Sequence, residues 1–208
     1  FSTSDSVITD NETAILAARK ALTEGQILAI KGLGGYHLAC DATNPAAVDA
    51  LRSRKHRTDK PFALMAFTTQ EIRKYVKVLD AEESLLESIQ HPIVLLEKRE
   101  LISSIDHTAP SQNFLGFMLP YTPLHLLLLQ PAPGFPDVLV MTSGNISEEP
   151  IAYEDEDAFE RLTSIADCFL THNRPIHMRV DDPVLRVFSE EPYPIRRSRG
   201  YAPDPLSF

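Results

Sequence analysis

The sequence predicts a single α/β domain whose sheet is partly antiparallel. Short apolar runs of strand length alternate with segments of helical periodicity, which is the pattern of a sheet flanked by helices. The last predicted strands are joined by short turns, as antiparallel neighbours are. Hydrophobic residues make up 43% of the 208 residues, enough for a substantial core. We therefore expect residues 1–208 to form one domain, and the absence of a starting methionine indicates a fragment of a longer multidomain protein.

Capping residues and prolines predict where the helices begin. The first helix starts at Asp10 or Asn11, either of which can cap it, and Pro45 occupies the first position of the second helix. Further helices are predicted at residues 68–76, 80–89, 123–129 and 154–165. Asp80 is expected to cap the helix at 80–89, and Phe159 is expected to face inward from the last helix.

Apolar runs bounded by polar residues, glycine or proline predict the strands. They lie at residues 27–30, 36–40, 62–66, 93–96, 115–121, 138–141, 168–171, 184–188 and 194–197. Between the first two strands, three glycines in the four positions 32–35 indicate either a close approach of the backbone to another group or a tight turn with positive φ. Residues 100–113 are predicted to form a loop.

The charge and composition exclude some classes of function. A net charge of −9 argues against a nonspecific nucleic-acid binder, whose affinity comes from neutralising many phosphates, but it permits a small anionic ligand. No apolar run reaches the roughly 18–20 residues that span a bilayer, and residues 1–5 lack the regions of a secretory signal. Cys40 and Cys168 are too few for a disulfide framework or a zinc site, so we expect free buried thiols. These observations predict a cytoplasmic protein without a membrane partner.

Positive charge is concentrated at the end of the second predicted helix. Residues 52–60 contain five of the twenty lysine and arginine residues, and an apolar strand follows. Charge alone favours a solvated last helical turn, where cations complement the helix macrodipole. A second stretch favours a binding site instead. The strand at 138–141 is followed at 142–147 by residues that carry hydroxyls and an amide, and by a glycine. Together the two stretches predict opposite walls of a phosphate site.

This predicted site differs from the common phosphate-binding motifs, since neither a Walker loop nor a Rossmann fingerprint is present. One wall carries Lys55, Arg57 and Lys60, which can neutralise the charge that develops on a pyrophosphate leaving group. The other wall, residues 142–145, carries hydroxyl, amide and backbone groups that can bind phosphate oxygens or a ribose.

Two other groups of residues are not expected to be catalytic or metal-binding. Cys40 is not expected to be a nucleophile, because His37 faces the opposite side of the same strand. The histidines and aspartates at 172–182 match no compact zinc spacing, so no metal site is predicted there and structural or supporting roles are expected. These residues are His172, His177, Asp181 and Asp182.

Three motifs resemble those of the YrdC-like domain in HypF carbamoyltransferases, which act in the maturation of NiFe hydrogenases. The motifs are KxRxxKP at 55–61, TSGNxS at 142–147 and RRxRGYAP at 196–203. Further similar stretches occur in the same order at 31–38, 118–125 and 171–176. The similarity covers nearly the whole chain from about residue 25 onward.

The resemblance implies an open, twisted, mixed β-sheet with flanking helices, in a domain that binds ATP with Mg²⁺. It implies adenylation of carbamate to carbamoyl-AMP with release of pyrophosphate, as one step of the carbamoyl transfer that leads to the cyanide ligands of the hydrogenase. The implied partners are other domains of a longer parent chain and a maturation protein that carries the acceptor thiol.

The resemblance also implies residue roles, position by position. Lys55 and Arg57 would hold the phosphates, and Lys60 would assist them. Ser143 and Asn145 would contact the nucleotide or the carbamoyl group. Further nucleotide-binding residues are implied at Thr142, Arg197 and Arg199.

Two alternatives stay open at this point. Threonylcarbamoyl-AMP synthases are similar at the Lys-x-Arg and Ser-x-Asn motifs, but they usually carry a threonine-rich segment where this chain has residues 31–37. Within the resemblance to the HypF domain itself, the segment 177–184 departs from the expected pattern, because Pro183 stands where serine is usual and no hydroxyl contact is expected there. The second alternative is a noncatalytic RNA-binding module that uses the basic residues 52–60, and the net charge of −9 argues against it.

Overall fold

The fold is given by a computed structural model that describes residues 1–4, 6–99 and 104–203. Within these ranges nine strands form one mixed sheet with helices on both faces, which confirms the predicted α/β class. Part of the predicted loop at 100–113 lies outside the described residues. The rest of that loop contains a short 3-10 helix, Asp106–Thr108.

Every predicted strand and helix overlaps an element of the structure. The strands are β1 Leu28–Lys31, β2 Tyr36–Asp41, β3 Ala63–Ala66, β4 Ile93–Glu97, β5 Phe114–Met118, β6 Val138–Ser143, β7 Cys168–Leu170, β8 Val184–Phe188 and β9 Glu191–Arg196. The helices are α1 Asn11–Thr23, α2 Pro45–Arg54, α3 Thr69–Ile72, α4 Asp80–Leu86, α5 Pro123–Leu129 and α6 Asp155–Leu162.

The strand order brings distant parts of the chain together. Across the sheet the order is β7-β1-β2-β6-β3-β5-β4-β8-β9. Three neighbouring pairs are parallel, namely β1 with β7, β3 with β5 and β4 with β8, and the other pairs are antiparallel. The predicted antiparallel C-terminal pair is β8 with β9. In the centre, β2 pairs with β6 and places His37 opposite Ser143.

Local sequence signals set the helix ends. The Asp10 carboxylate accepts a hydrogen bond of 2.9 Å from the backbone N–H of Thr13 and so caps α1. Asn44 caps α2 in the same way, immediately before Pro45 at the first helical position. Gly25, with φ of 80°, follows the end of α1, where glycine adopts this left-handed conformation without strain.

Two hydrophobic layers pack on opposite faces of the sheet. The first contains Leu51 of α2, Leu86 of α4 and Leu162 of α6. The second contains Leu22 of α1 and Leu128 of α5. On this second face α1 packs against β1, β2 and β7. The cleft described below lies over the other half of the same face.

The predicted extent of α3 is wrong. It ends at Ile72 instead of residue 76, because the next residues leave the helix to pair with the end of β4. Val76 forms a bridge with Lys98, and the backbone N–H of Lys77 donates to the carbonyl of Glu97 at 2.9 Å. Pairing with the sheet therefore overrides the helical pattern of this segment.

Two further helix predictions need correction. Leu79, not Asp80, is the N-cap of α4, and the helix ends at Leu86, so Ile89 is 89% exposed. The helix α6 also ends early, and Phe159 is 41% exposed, although its ring lies 4.9 Å from that of Phe169. After α4 the apolar Ile89 is left exposed, whereas after α6 the apolar Ile165 is still buried although it lies outside the helix.

The glycines at 32–35 are explained by close packing rather than by positive φ. None of Gly32, Gly34 and Gly35 has positive φ, so the tight-turn interpretation is wrong. A Cβ added to Gly34 would overlap Val180, and one added to Gly35 would overlap the side chain of Ile151. The absent side chains thus let two later segments approach the end of β1.

The two cysteines are free and buried, as predicted. Burial, with a smaller effect from Asp167, raises the pKa of the Cys168 thiol to about 12, and burial also raises the pKa of Cys40. Both thiols therefore stay protonated and unreactive at neutral pH. Over the described ranges, no helix has both the length and the apolar character that crossing a bilayer requires.

Candidate functional site

A cleft of about 630 Å³ lies on the sheet face beside α5 and contains the predicted phosphate site. Its basic wall carries the side chains that follow α2. Its polar wall is the end of β6. Six of the predicted site residues line this one cleft, namely Lys55, Arg57, Lys60, Thr142, Ser143 and Asn145. The structure therefore brings together two stretches that lie more than eighty residues apart in the chain.

The floor of the cleft is apolar and was not predicted from the sequence. Ala63 of β3 lies beside Gly116 of β5, and Gly116 lies beside Leu95 of β4. Because two adjacent strands carry almost no side chain here, the sheet surface is recessed at this point. A Cβ added to Gly116 would lie 2.8 Å from Cγ2 of Ile93, so the position accepts only glycine without rearrangement.

Lys55 is buried, which contradicts the interpretation of a solvated helix end. It is 1% exposed, and its ammonium group donates to the carbonyl oxygens of Ser143 at 2.6 Å and Asn145 at 2.5 Å. A third bond of 2.6 Å goes to Oδ1 of Asn145. Burial, and then the charges of Arg57 and Lys60, lower the pKa of Lys55 to about 7. All three donors of the ammonium are thus used within the protein.

The same helix end is tied to the polar wall through its backbone. The backbone N–H of Ser147 donates to the carbonyl of Lys55 at 3.2 Å, and the Ser147 hydroxyl donates to it at 2.9 Å. Lys55 therefore joins α2 to the segment after β6 through both its side chain and its carbonyl group.

Arg57 projects along the cleft and remains charged. Its Nε donates to the carbonyl of Lys60 at 3.0 Å, Nη2 donates to the carbonyl of Pro61, and Nη1 lies 3.4 Å from the Thr142 hydroxyl. Its guanidinium carbon lies 5.0 Å from the ring centre of Phe62. Burial first, and then the charges of Arg52 and Arg196, lower the pKa of Arg57 to about 10, so it is protonated at neutral pH.

The polar wall is held in one arrangement. The Ser143 hydroxyl donates to Oδ1 of Asn145 at 2.7 Å, and Nδ2 of Asn145 donates to the carbonyl of Glu149 at 2.5 Å. The backbone N–H of Gly144 donates to the carbonyl of Tyr36 at 2.6 Å, and a Cβ at position 144 would lie 2.7 Å from that oxygen. Because its proton is already used, the Ser143 hydroxyl offers lone pairs to the cleft.

Of the C-terminal arginines, Arg196 lines the cleft and the predicted Arg197 and Arg199 do not. Nη2 of Arg197 donates to the carbonyl of Tyr201 at 2.6 Å. Arg199 donates to Asp182 at 3.1 Å and lies 3.7 Å above the ring of Tyr121. The structure therefore does not place these two side chains in the cleft, and Arg199 instead pairs with a carboxylate of the protein. Their role in nucleotide binding stays a prediction.

Asp182 connects the cleft wall to a buried polar network that the sequence did not reveal. Its Oδ2 lies 2.9 Å from Nε2 of His37, and its Oδ1 accepts from Arg199. Burial would raise the pKa of Asp182, but the hydrogen bond from His37 and the charge of Arg199 hold this pKa well below its ordinary value. The carboxylate is thus ionised and structural. His125 packs against His37 and Tyr121, and its burial lowers its pKa to about 3.

Other cations of the basic stretch are also engaged internally. Arg54 donates to the carbonyl of Ile165 and to Asp167, each at 2.8 Å, and Arg52 donates to backbone carbonyls near the cleft. Together with Lys55, three of the five cations at 52–60 are thus held by contacts within the protein.

The sequence of this chain matches one family of known proteins. The sequence model of the Sua5/YciO/YrdC family, described as "Telomere recombination", matches residues 20–198. The chain is 45% identical over 201 residues to carbamoyltransferase HypF of Synechocystis sp. and 50% identical over 194 residues to carbamoyltransferase HypF of Rhodobacter capsulatus. These matches cover 97% and 93% of this chain but 26% and 25% of the relatives, so the chain spans about a quarter of their length.

Solved structures agree with the sequence matches. A full-length HypF crystallised in the phosphate- and nucleotide-bound form superimposes with a TM-score of 0.84 at 48% identity, over 92% of this chain and 30% of that one. Sua5 of P. abyssi in complex with L-threonine has a TM-score of 0.76 at 18% identity, over 92% and 56% of the two chains, which shows a shared fold. Threonylcarbamoyl-AMP synthase of Mus musculus is 27% identical over 160 residues, 74% of this chain and 55% of that protein. The chain therefore belongs to the Sua5/YciO/YrdC family, as a YrdC-like domain similar to that of HypF carbamoyltransferases.

Proposed function

We propose that this chain forms carbamoyl-AMP from carbamate and ATP and releases pyrophosphate, as one step of carbamoyl transfer in NiFe hydrogenase maturation. The observation that carries the proposal is the cleft in which the basic wall after α2 faces the polar wall after β6. The HypF structure at 48% identity, which was crystallised with phosphate and nucleotide, supports the same ligand class.

The cleft suits a nucleotide in size and in chemistry. Its volume of about 630 Å³ lies within the roughly 300–1,000 Å³ of small-molecule sites. The apolar floor around Ala63, Leu95 and Gly116 offers a surface for a base, and the cations at the other end suit the phosphates.

In the proposed reaction an oxygen of carbamate attacks the α-phosphorus of ATP. The bond from this phosphorus to the bridging oxygen breaks, and pyrophosphate leaves with the electron pair. Arg57, Lys60 and Arg196 are placed to neutralise the charge that gathers on the leaving group. The Ser143 hydroxyl donates to Asn145 and so presents an acceptor, which suits the carbamate amino group or a ribose hydroxyl better than a phosphate oxygen.

The carboxylates of the cleft fit a Mg²⁺ ion that arrives with the nucleotide. Glu149 is paired with Arg161 at 3.0 Å and Asp182 with Arg199 at 3.1 Å, so Glu148 and Asp181 are the cleft carboxylates that would hold the ion. Over the described residues no group of three or more histidine, cysteine or acidic side chains is arranged to bind a metal. Mg²⁺ in phosphate sites typically needs only one or two carboxylates, because phosphate oxygens and water complete its shell, and its charge would assist leaving-group departure.

The proposal extends to the setting of the reaction. HypF relatives are about four times as long as this chain, so we propose that the domain works beside other domains of a longer parent chain. Carbamoyl-AMP would pass to one of them and then to a maturation partner that carries the acceptor thiol, in the cytoplasm.

Exchange of labelled pyrophosphate into ATP tests the proposed reaction. We expect exchange when bicarbonate and ammonium supply carbamate, and none with intact carbamoyl phosphate, because this chain is assigned adenylation alone. Arg57→Ala should lower the exchange rate by at least about 100-fold, since it removes a charge contact to the leaving group. Exchange that is indifferent to carbamate would contradict the proposal.

The same assay separates the related activity. Threonylcarbamoyl-AMP synthases are distant relatives of this chain, at 27% identity. If exchange required threonine in addition to bicarbonate, the chain would be assigned to that activity instead. Duplex RNA binding that falls steeply with salt, together with no response to ATP, would support the RNA-binding alternative.

A substitution on the cleft floor should block nucleotide binding. Gly116→Val places a branched side chain against Ile93, and we expect ATP affinity to fall at least about ten-fold and unfolding free energy to fall by about 1–3 kcal/mol. Calorimetric titration and urea unfolding measure the two effects. Gly134→Ala is the matched control, because its φ of 78° strains any other residue while nothing lies within 4 Å of the new Cβ. The control should lose stability and keep its ATP affinity, and equal affinity in both variants would show that the floor is not the nucleotide site.

A further inference from the structure

Arg52 lies one turn before Lys55 on α2 and points toward the backbone of the basic loop, residues 57–60. Its Nη1 donates to three carbonyl oxygens of this loop, those of Arg57 and Thr58 at 3.0 Å and that of Lys60 at 3.1 Å. The backbone N–H of Arg57 donates back to the carbonyl of Arg52 at 3.0 Å. One side chain thus contacts the carbonyl groups of three of the four residues in the loop that carries two of the cleft cations.

The other end of the guanidinium holds a second segment. Nη2 donates to the carbonyl of His107 at 2.9 Å and to that of Thr108 at 3.1 Å. The guanidinium carbon lies 4.5 Å from the ring centre of Phe62, and the backbone N–H of Phe62 donates to the same Thr108 carbonyl at 2.8 Å. Arg52 therefore joins the basic loop, the start of β3 and the turn at 107–108.

The chemistry of this contact requires arginine. A planar guanidinium presents several donors in a fixed fork and stacks on an aromatic ring, whereas a lysine ammonium offers three donors from a single point. Arg52 donates to the carbonyls of Arg57 and Lys60, and the side chains of these two residues line the cleft. Arg52 itself does not line the cleft.

We infer that Arg52 is a positioning residue, which orders the basic loop so that Arg57 and Lys60 face the cleft. It acts through the loop backbone and does not touch the ligand. The inference rests on the proposed function in one respect, that the cleft binds the phosphates of ATP. The order of the loop itself can be measured without any ligand.

The test compares Arg52→Lys with Arg54→Lys, a matched arginine on the same helix that donates to Ile165 and Asp167 instead of to the loop. Arg52→Lys keeps the positive charge but loses the planar guanidinium and its fixed set of donors. We expect amide hydrogen exchange at Arg57, whose backbone N–H donates to the carbonyl of Arg52, to become at least about ten-fold faster and the Kd for ATP to rise at least about ten-fold. Arg54→Lys should change neither quantity. Unchanged exchange in Arg52→Lys would overturn the inference.

A double-variant cycle with Arg57→Ala distinguishes positioning from general destabilisation. If Arg52 acts through Arg57, Arg52→Lys should weaken ATP binding much less in the Arg57→Ala background than in the wild type, while losses of urea stability still add. Fully additive losses of affinity would overturn the inference. If Arg52→Lys fails to fold, Arg52→Ala with added guanidinium serves instead. Rescue of slow exchange at the Arg57 amide would support the inference, and lack of rescue would count against it. If wild-type protein binds no ATP, the proposed function fails, and the exchange comparison alone decides whether Arg52 orders the loop.

Discussion

Lys55→Ala is expected to abolish measurable ATP binding and to lower the free energy of unfolding by about 2–4 kcal/mol. The loss of stability follows from the burial of the ammonium, because its removal takes a donor from the carbonyls of Ser143 and Asn145 and leaves Oδ1 of Asn145 with the Ser143 hydroxyl. The loss of binding follows from the same contacts, since they fix the polar wall of the cleft. Calorimetric titration with ATP and urea unfolding measure the two effects.

Lys60→Ala is the matched control for this prediction. Lys60 is a cation of the same cleft, but its side chain is exposed, so its removal should change stability by less than about 0.5 kcal/mol. Equal stability of Lys55→Ala and Lys60→Ala would contradict the structural role of Lys55. In that case the ammonium would act only as a charge.

The Lys55 prediction also has a pH dependence with a definite sign. The pKa of Lys55 is about 7 in the folded protein and 10.5 for an unperturbed lysine, so between these values the unfolded chain binds more protons. Stability then rises with pH across this window. The stability difference between wild type and Lys55→Ala should therefore increase from about pH 7 toward 10.5, and a constant difference would show that Lys55 is not desolvated.

Asp182→Asn is expected to lower the free energy of unfolding by about 3–5 kcal/mol, because it removes the carboxylate that pairs with buried Arg199 and His37. The side chain of Asp182 is only 13% exposed. Since its pKa is depressed in the folded protein, the contribution is present at neutral pH and is lost as the pH falls below the ordinary range of aspartate. Urea unfolding at neutral pH measures the loss.

Asp181→Asn provides the neighbouring control. Asp181 lines the same cleft and is exposed, so its replacement should change unfolding free energy by less than about 0.5 kcal/mol. Similar losses of unfolding free energy in the two variants would mean that the negative charge of residues 181–182 stabilises the protein and that the buried pairing of Asp182 with Arg199 does not. A loss in Asp182→Asn alone supports the network.

Much of the cleft could be predicted because its polar residues are grouped in two short stretches. Lys55, Arg57 and Lys60 follow one helix, and Ser143 and Asn145 lie at and just after the end of one strand, so each stretch brings its own side chains to one place. Neither stretch needed a tertiary contact to be recognised. Burial did need one, so the sequence placed Lys55 in the wall of a phosphate site but did not show that its ammonium is buried.

The residues that the sequence did not reveal depend on contacts between distant segments. Gly116 forms the floor only because β5 lies between β3 and β4. His37 meets Asp182 across 145 positions of the chain. Among the three arginines at 196, 197 and 199, the path of the chain after β9 decides that Arg196 lines the cleft and Arg199 does not. No local pattern distinguishes these neighbours.

The pairing of His37 with Asp182 has a consequence for the order of folding. The cleft needs residues from Lys55 to Arg196, and its strands come from both halves of the chain. Contacts of such long sequence separation form slowly, because the loop entropy is lost before the contacts stabilise the fold. During synthesis, the basic and polar walls are made long before residues 181–196 leave the ribosome. The nascent chain therefore carries both walls without a closed cleft, and under the proposed function nucleotide binding would begin only after residues 181–196 have been made.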